Sequence, residues 1–237
     1  FADLYRLADK SYASNHRYYV DGKLATGDIY DGSNWRTILV AGMGAGGRGY
    51  VAVDITDPAN PKGMWEVGVG TTCQPTSSIP ADTVTDCDIG YSVGKPVISK
   101  RGDGKWVVLF TSGINNVSPG TGGGFLYAVD AVTGAILNKV PTLSGSANVG
   151  GTDTPSGLGP VSVRTADPVK NNSIVGVYGG DQLGYVWRFD KDGAFPAAGG
   201  KATNLARLTN PSKDPQPVTT APEIGLYNEK PLLFFGT

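Results

Sequence analysis

The chain has 237 residues, with 20 basic and 21 acidic side chains and a formal net charge of −1. This balance excludes the basic stripe that neutralises nucleic-acid phosphates, so no nucleic-acid partner is expected. No apolar run approaches the roughly 20 residues of a membrane-spanning helix, so no membrane span is expected in this chain. The 40% of hydrophobic residues, with 35 Gly and 16 Pro, is typical of a folded chain that is rich in turns.

Short apolar strands recur along the chain in a fixed phase. Three of them end in aspartate: YVAVD at 50–54, LYAVD at 126–130 and VWRFD at 186–190. An apolar run precedes each of them, and a fourth copy of this run is LLFFGT at 232–237. Upstream of the last three runs, a strand start carries a proline at Pro96, Pro160 and Pro222, which are 64 and then 62 residues apart. Proline at the first position of a strand costs no ladder hydrogen bond, so this recurrence fits strands.

Each repeat reads as three strands joined by hairpins, followed by a weaker outer strand, and such units in tandem predict a β-propeller. The predicted blades cover residues 20–70, 89–143 and 157–200, and an incomplete fourth covers residues 217–237. A β-sandwich is the alternative, but it does not require one motif in the same phase about every sixty residues. We therefore predict an all-β fold in which residues 1–237 form a single β-propeller fragment with four-stranded blades. The abrupt start at Phe1, without a signal peptide, also favours a mature or excised fragment.

Seven aromatic residues fall at strand positions that are expected to face inward and pack between blades. They are Trp35, Tyr50, Trp106, Tyr127, Tyr178, Trp187 and Phe234.

Cys73 and Cys87 are the only cysteines, and they bracket a polar segment that contains proline. No histidine or third cysteine stands nearby to complete a metal site. We predict a disulfide between them, which would constrain the unfolded chain and place the protein in an oxidising compartment. A pair of free thiols is the alternative.

Two motifs suggest enzymes but stand in the wrong context. The Gly-rich loop at 44–49 is followed by a strand and not by the helix that would bind a phosphate. GYSVG at 90–94 matches the nucleophile elbow of hydrolases, but a strand follows it and the single histidine, His16, lies upstream. We therefore predict no catalytic, cofactor-binding or metal-binding residue from these motifs.

Arg101, Gly102 and Asp103 form an Arg-Gly-Asp tripeptide in a predicted exposed hairpin, which is the presentation that integrin binding requires. The alternative is a Gly-Asp-Gly turn beside one basic residue. The tripeptide is therefore a candidate adhesion motif.

Seven segments, in order, carry a family resemblance. They are HRYYVDG at 16–22, WRTILV at 35–40, GAGGRG at 44–49, VDITDP at 53–58, GKWVVLF at 104–110, GGDQLGYVWRFD at 179–190 and PVTTAPEI at 217–224. Together they resemble the C-terminal propeller of the PilY1/PilC family of type IV pilus tip-associated proteins. The resemblance implies a modified seven-bladed propeller, of which this chain covers three blades and part of a fourth. It also implies an extracellular location, at the pilus tip or associated with the outer membrane.

Many members of that family carry a calcium loop, D-x-D/N-x-D-G-x-x-D, just before a Y-x-G-D strand. Alignment on YGGD at 178–181 places Asp167 at the first ligand position and Asn171 at the fifth. Val169 and Val175 then stand at two positions that require oxygen ligands. Calcium takes several oxygen ligands, usually with carboxylates among them. The loop is degenerate, so we predict no calcium at this loop and no other cofactor.

The family resemblance implies a non-enzymatic surface module that supports pilus assembly, opposes retraction, and contributes to twitching motility and adhesion. Its expected partners are pilin or minor pilins and a host or surface ligand, contacted through loops such as 71–88 and 113–124. The alternative is a fragment of a quinone-dependent (PQQ-type) oxidoreductase, because AVDAVTG at 128–134 resembles the repeat of quinoprotein dehydrogenase propellers. Against it, Cys73 and Cys87 are not adjacent as in the vicinal disulfide of those enzymes. A structural scaffold without an external ligand is a third hypothesis.

Overall fold

The computed structural model describes residues 7–71, 73, 83–228 and 230–237. Within these residues the regular structure consists of β-strands. The strands are β1 (Leu24–Tyr30), β2 (Trp35–Gly42), β3 (Gly49–Asp54), β4 (Lys62–Gly68), β5 (Thr83–Thr85), β6 (Val97–Lys100), β7 (Trp106–Thr111), β8 (Phe125–Asp130), β9 (Ile136–Pro141), β10 (Leu143–Ser144), β11 (Ala147–Asn148), β12 (Val161–Asp167), β13 (Asn171–Gly180), β14 (Tyr185–Arg188), β15 (Thr203–Arg207), β16 (Glu223–Tyr227) and β17 (Lys230–Phe234).

These strands pair into antiparallel units that follow chain order. In the first unit β1 to β4 pair successively, and β5 adds in parallel to β4. The second unit is β6 to β9 and the third is β12 to β15. β10 pairs with β11, and β16 pairs with β17. None of the described segments is a helix long and apolar enough to cross a membrane.

The first strands of successive units lie side by side, because β1 contacts β6, β6 contacts β12, and β12 contacts β16. The second and third units are joined by a parallel bridge between Lys100 and Ser173. A hydrogen bond from Ser99 Oγ to the carbonyl of Asn172 (2.8 Å) reinforces this junction. Antiparallel units whose first strands adjoin are the arrangement of a β-propeller.

The second unit is buried on both of its faces. On β7, Val108 and Phe110 belong to a core shared with the first unit, whereas Val107 and Leu109 belong to a core shared with the third. Successive side chains of a strand point to opposite faces, so this alternation supplies both cores from one strand. Burial on two faces explains why β7 and β8 are continuous apolar runs and not alternating ones.

The seven aromatic residues that were predicted to face inward differ in how deeply they are buried. Five of them are buried or partly buried: Tyr50, Trp106, Tyr127, Tyr178 and Trp187. Trp35 and Phe234 are more exposed, at 63% and 60%. Trp35, the first residue of β2, meets the second unit only through an edge contact with the ring of Trp106 (centroids 6.0 Å apart). Phe234 lies on β17, which pairs only with β16 in the described residues.

Two fully buried tryptophans make similar hydrogen bonds to acceptors of different charge. Trp65 Nε1 donates to the carbonyl of Ala131 (3.0 Å), whereas Trp187 Nε1 donates to Oδ2 of Asp181 (2.8 Å). Burial raises the pKa of the Asp181 carboxyl, and the Trp187 N–H and two backbone N–H groups act in the opposite direction. The Trp187 bond is therefore strongest when Asp181 is ionised.

We expect Trp187→Phe to lose stability in a pH-dependent way and Trp65→Phe to lose it independently of pH. The folded-state pKa of Asp181 lies above its ordinary value of 3.8, so folding becomes less favourable as the pH rises from that value through the folded pKa. The Trp187 N–H offsets this cost only when Asp181 is ionised. The loss of unfolding free energy in Trp187→Phe should be about 1–2 kcal/mol larger near neutral pH than in acid. Urea denaturation of both variants at the two pH values tests this, and an equal pH dependence would contradict it.

Candidate binding surface at the disulfide end

The strand connections of the units lie at two opposite ends. Connections between the first and second strands of a unit, and between its third and fourth strands, lie at one end, which we call the hairpin end. Connections between second and third strands, and from one unit to the next, lie at the other end, because antiparallel strands reverse direction at each connection. We call this the disulfide end; it includes Cys73 and residues 43–48, 86–96 and 112–124.

Arg48 joins three loops of the disulfide end. Its Nε donates to the carbonyl of Ile89 (2.7 Å), and its Nη2 donates to the carbonyls of Cys87 (3.0 Å) and Pro119 (2.7 Å). Its Nη1 donates to the carbonyl of Val117 (3.2 Å). Burial lowers the pKa of the Arg48 guanidinium. Since a guanidinium carries five donors in a rigid fork, one side chain fixes the Gly-rich loop to two others.

Asp88 provides a second link to the loop between β7 and β8. Its Oδ1 accepts hydrogen bonds from the backbone N–H and from the hydroxyl of Thr121, both at 2.7 Å. Within that loop Asn116 Nδ2 donates to the carbonyl of Gly123 (2.7 Å). Gly122 has a φ of +73°, and a Cβ there would lie 2.2 Å from the carbonyl oxygen of Gly151. The loop is thus held by hydrogen bonds and by close backbone packing.

Lys139 lies beneath these loops, between two buried aspartates. Its Nζ is 2.9 and 3.0 Å from the two carboxylate oxygens of Asp86 and 2.7 Å from Oδ2 of Asp88. The ammonium also lies 4.4 Å from the ring centroid of Phe125. The Tyr127 hydroxyl donates to Asp86 Oδ1 (3.2 Å). Burial raises the pKa of this hydroxyl, and the nearby charge of Asp86 raises it further. The two acidic side chains therefore share one cation, and neutral donors provide further hydrogen bonds to their oxygens.

The two cysteines form the predicted disulfide, which confirms that pairing. Cys87 is fully buried between Asp86 and Asp88 in the chain, and Cys73 is exposed. The sulfurs lie close to the Asp88 carboxylate, but they are bonded to each other and do not offer free thiolate ligands. Of the predicted contact loop 71–88, residues 72 and 74–82 lie outside the described part of the chain.

The other predicted site residues lie at the hairpin end. Arg101 and Asp103 flank the β6–β7 turn and form an ion pair with each other (2.5 Å), and Arg101 also donates to Asn138. A partner that reads both charges of the tripeptide would have to separate this pair, and integrin binding stays a prediction.

Asp167 and Asn171 also lie at the hairpin end, where they flank the β12–β13 turn. Asp167 Oδ1 accepts from the N–H groups of Val169 and Lys170, and Asn171 Oδ1 accepts from the N–H of Ser173. These oxygens stabilise their own turn. The absence of calcium at this loop stays a prediction.

Ser92, the serine of the elbow-like motif, has a structural role. It is fully buried, its hydroxyl donates to the carbonyl of Gly49 (2.8 Å), and its Oγ accepts from the N–H of Gly44 (3.1 Å). It therefore links the segment before β6 to the Gly-rich loop at 44–49.

The residues that organise the disulfide end were not predicted. Arg48 lies inside the Gly-rich loop, where only phosphate binding was considered. Acidic residues on both sides of Cys87 were a usable signal, because two neighbouring carboxylates near a buried cysteine require a cation. The cation itself, Lys139, is 51 residues from Asp88 and could not be assigned from spacing.

A family model described as the PilY1 beta-propeller domain matches residues 1–206. The chain belongs to the PilY1 β-propeller family. The crystal structure of the Pseudomonas aeruginosa PilY1 C-terminal domain is similar with a TM-score of 0.70 and 28% sequence identity. That match covers 95% of this chain and 46% of the crystallised chain, and it confirms the predicted all-β propeller fold.

Curated PilY1 proteins are similar in sequence. The type IV pilus biogenesis factor PilY1 of Pseudomonas aeruginosa PAO1 is 34% identical over 191 residues, or 80% of this chain. A PilY1 homolog of Xylella fastidiosa is 32% identical over 238 residues, or 93% of this chain. In both cases the chain spans 14% of the length of the relative.

Arg48→Met should loosen the disulfide end while it keeps the apolar stem of the side chain. Removing the guanidinium leaves the four carbonyl groups without this donor, and we expect a loss of about 2 kcal/mol of unfolding free energy. Amide hydrogen exchange in residues 113–124 should accelerate. The matched control is Arg36→Met, which removes the ion pairs with Asp31 and Asp54 at the hairpin end of the first unit. Because exposed ion pairs contribute little to stability, it should cost less than Arg48→Met and leave residues 113–124 protected. Equal exchange in the two variants would contradict the role of Arg48.

Reduction of the Cys73–Cys87 bond should destabilise the chain by about 3 kcal/mol, the value for a closed loop of this length. Thermal unfolding of the wild type should shift to lower temperature when a reductant is added. Cys73→Ser changes an exposed position, so it should unfold at the temperature of the reduced wild type and show no response to reductant. A wild type that does not respond would show that the bond contributes nothing to stability.

Proposed function

We propose that this chain is a non-enzymatic surface module of a type IV pilus-associated protein. In this proposal it supports pilus assembly, opposes retraction and contributes to adhesion, outside the cell at the pilus tip or at the outer membrane. Support comes from its membership of a family whose curated relatives are named type IV pilus biogenesis factors. The disulfide is compatible with an oxidising, extracellular location.

The observation that carries the proposal is the set of hydrogen bonds that holds neighbouring loops together at the disulfide end. Arg48 and the Asp88–Thr121 contacts hold loops from the first and second units in one conformation. The disulfide joins Cys73 to Cys87, which lies beside these loops. Loops that are ordered before binding lose less conformational entropy when a partner docks. We propose that pilin or minor pilins, and a host or surface ligand, contact this end through loops 71–88 and 113–124.

The absence of enzymatic turnover and of a quinone cofactor is part of the same proposal. A groove of about 610 Å³ runs along the adjoining first strands, where a propeller has its central channel. Its described lining includes Lys23, Lys95, Pro160 and Glu223, and no aromatic side chain is among the lining residues. A quinone ring binds well against a flat stacking partner, and the lack of one among these described side chains supports the proposal.

The proposal is tested with two charge-introducing variants in the bacterium that encodes this chain. Ala45→Arg adds a long cation at an exposed position of the disulfide end, and Val169→Arg adds the same side chain at the exposed β12–β13 turn of the hairpin end. We expect Ala45→Arg to lower the number of surface pili, the twitching zone and surface attachment severalfold. Val169→Arg should behave as the wild type.

A strain that lacks the gene sets the lower limit for all three measurements. Equal piliation in the two variants would contradict a role for the disulfide end. Full piliation in the strain without the gene would contradict the pilus function itself.

A further inference from the structure

The Lys139 cluster contains the groups needed for a covalent cross-link as well as for an ion pair. A primary amine, Lys139 Nζ, lies 2.7 Å from one oxygen of the buried Asp88 carboxylate. A second buried carboxylate, Asp86, contacts the same amine with both oxygens. The side chain of Lys139 is only 12% exposed, and those of Asp86 and Asp88 are 0% and 2% exposed. Water is therefore largely excluded from the pair that would condense.

The two aspartates are held in different ways, and the difference assigns their roles. Oδ1 of Asp88 accepts two hydrogen bonds of 2.7 Å from Thr121, which leaves Oδ2 facing the amine. Two donors on one carboxyl oxygen would stabilise the negative charge that develops there when a nucleophile attacks the carbon. Asp86 instead contacts the amine with both of its oxygens, at 2.9 and 3.0 Å, so a carboxylate oxygen is within reach of a proton on that nitrogen. This geometry suits transfer of a proton.

We propose that Lys139 and Asp88 form an intramolecular amide bond in the folded protein, with Asp86 as the acid–base group. The inference concerns a covalent modification of the fold and does not depend on the proposed pilus function.

The reaction balances without a cofactor or an oxidant. The ammonium of Lys139 first gives one proton to Oδ2 of Asp88, and the neutral amine attacks the side-chain carbon of Asp88. Asp86 takes a second proton from the nitrogen of the tetrahedral intermediate and delivers it to Oδ2, which leaves as water. The bond formed is Nζ to Cγ, the bond broken is Cγ to Oδ2, and Asp86 ends as it began.

Folding brings the amine and the carboxyl group together and keeps water away from them. Holding the amine against the carboxyl group replaces a bimolecular encounter with an intramolecular one. Exclusion of water from the site opposes the reverse hydrolysis. The product would join β9 of the second unit to the segment that carries Cys87, so an amide and a disulfide would secure the same loop.

The test is a peptide map of the full-length protein purified from its own bacterium. After reduction and alkylation, trypsin releases Asp88 in residues 63–100 and cuts after Lys139 if that amine is free. With the amide present, trypsin does not cut there, and a branched product joins residues 63–100 to residues 106–164. Its mass is that of the two peptides less one water molecule. Fragmentation by tandem mass spectrometry locates the branch.

Three variants separate the roles. Lys139→Arg keeps the positive charge but cannot form this amide, and Asp88→Ala lacks the acceptor carbon, so both should yield no branched peptide. Asp86→Asn keeps the shape of the side chain but loses the base, and its yield of branched peptide should fall at least tenfold. In an unreduced digest, recovery of residues 63–100 with the internal Cys73–Cys87 disulfide, which makes this part lighter by two hydrogen atoms than its reduced form, shows in each case that the chain has folded.

The branched peptide at Lys139 and Asp88 in the wild type, with these losses in the variants, would support the proposal. Complete recovery of separate peptides 106–139 and 140–164 from the wild type would overturn it. A branch at Asp86, or an Asp86→Asn yield equal to the wild type, would overturn the assigned roles.

Discussion

Burial of the second unit on both faces is the constraint on which the rest of the structure depends. Val107 and Leu109 face one core, and Val108 and Phe110 face the other, so β7 can pair in only one register. A slip by one residue would exchange the two sets of side chains between cores of different shape. The register of β7 and β8 in turn sets where the loop at 112–124 begins and ends, and therefore which residues it presents to the neighbouring unit.

The disulfide end buries charged side chains, and their loss of hydration is tolerated only because they contact one another. Asp86 and Asp88 would each lose much of their hydration on burial, and a single buried carboxylate without a partner would destabilise the fold. Lys139, Tyr127 and Thr121 supply the donors, and Arg48 supplies donors to the surrounding carbonyls. Because these groups come from both sides of the junction between the first and second units, the surface is rigid only when the units are packed. This couples the presentation of the loops to the fold of the propeller.

The strands were predictable because their signals are local. The Asp-terminated runs and the recurring prolines give strand starts and ends directly, and the two cysteines allowed one pairing. The inward aromatic positions were predicted correctly where a unit covers them on the relevant face, as for Tyr127 and Trp187. Trp35 and Phe234 have the same local pattern, but Trp35 meets the second unit only through an edge contact with Trp106, and β17 pairs only with β16 in the described residues.

The sequence by itself determined the repeat, the all-β class, the disulfide partners and the family resemblance, since each depends on residue type and spacing along the chain. Tertiary structure decided which loops share an end and which cation lies between Asp86 and Asp88. It placed the Arg-Gly-Asp tripeptide and the degenerate calcium loop at one end and the disulfide at the other. The physical reason is that Arg48 and Lys139 act on partners 39 to 71 and 51 to 53 residues away, and only strand register and packing bring such groups together.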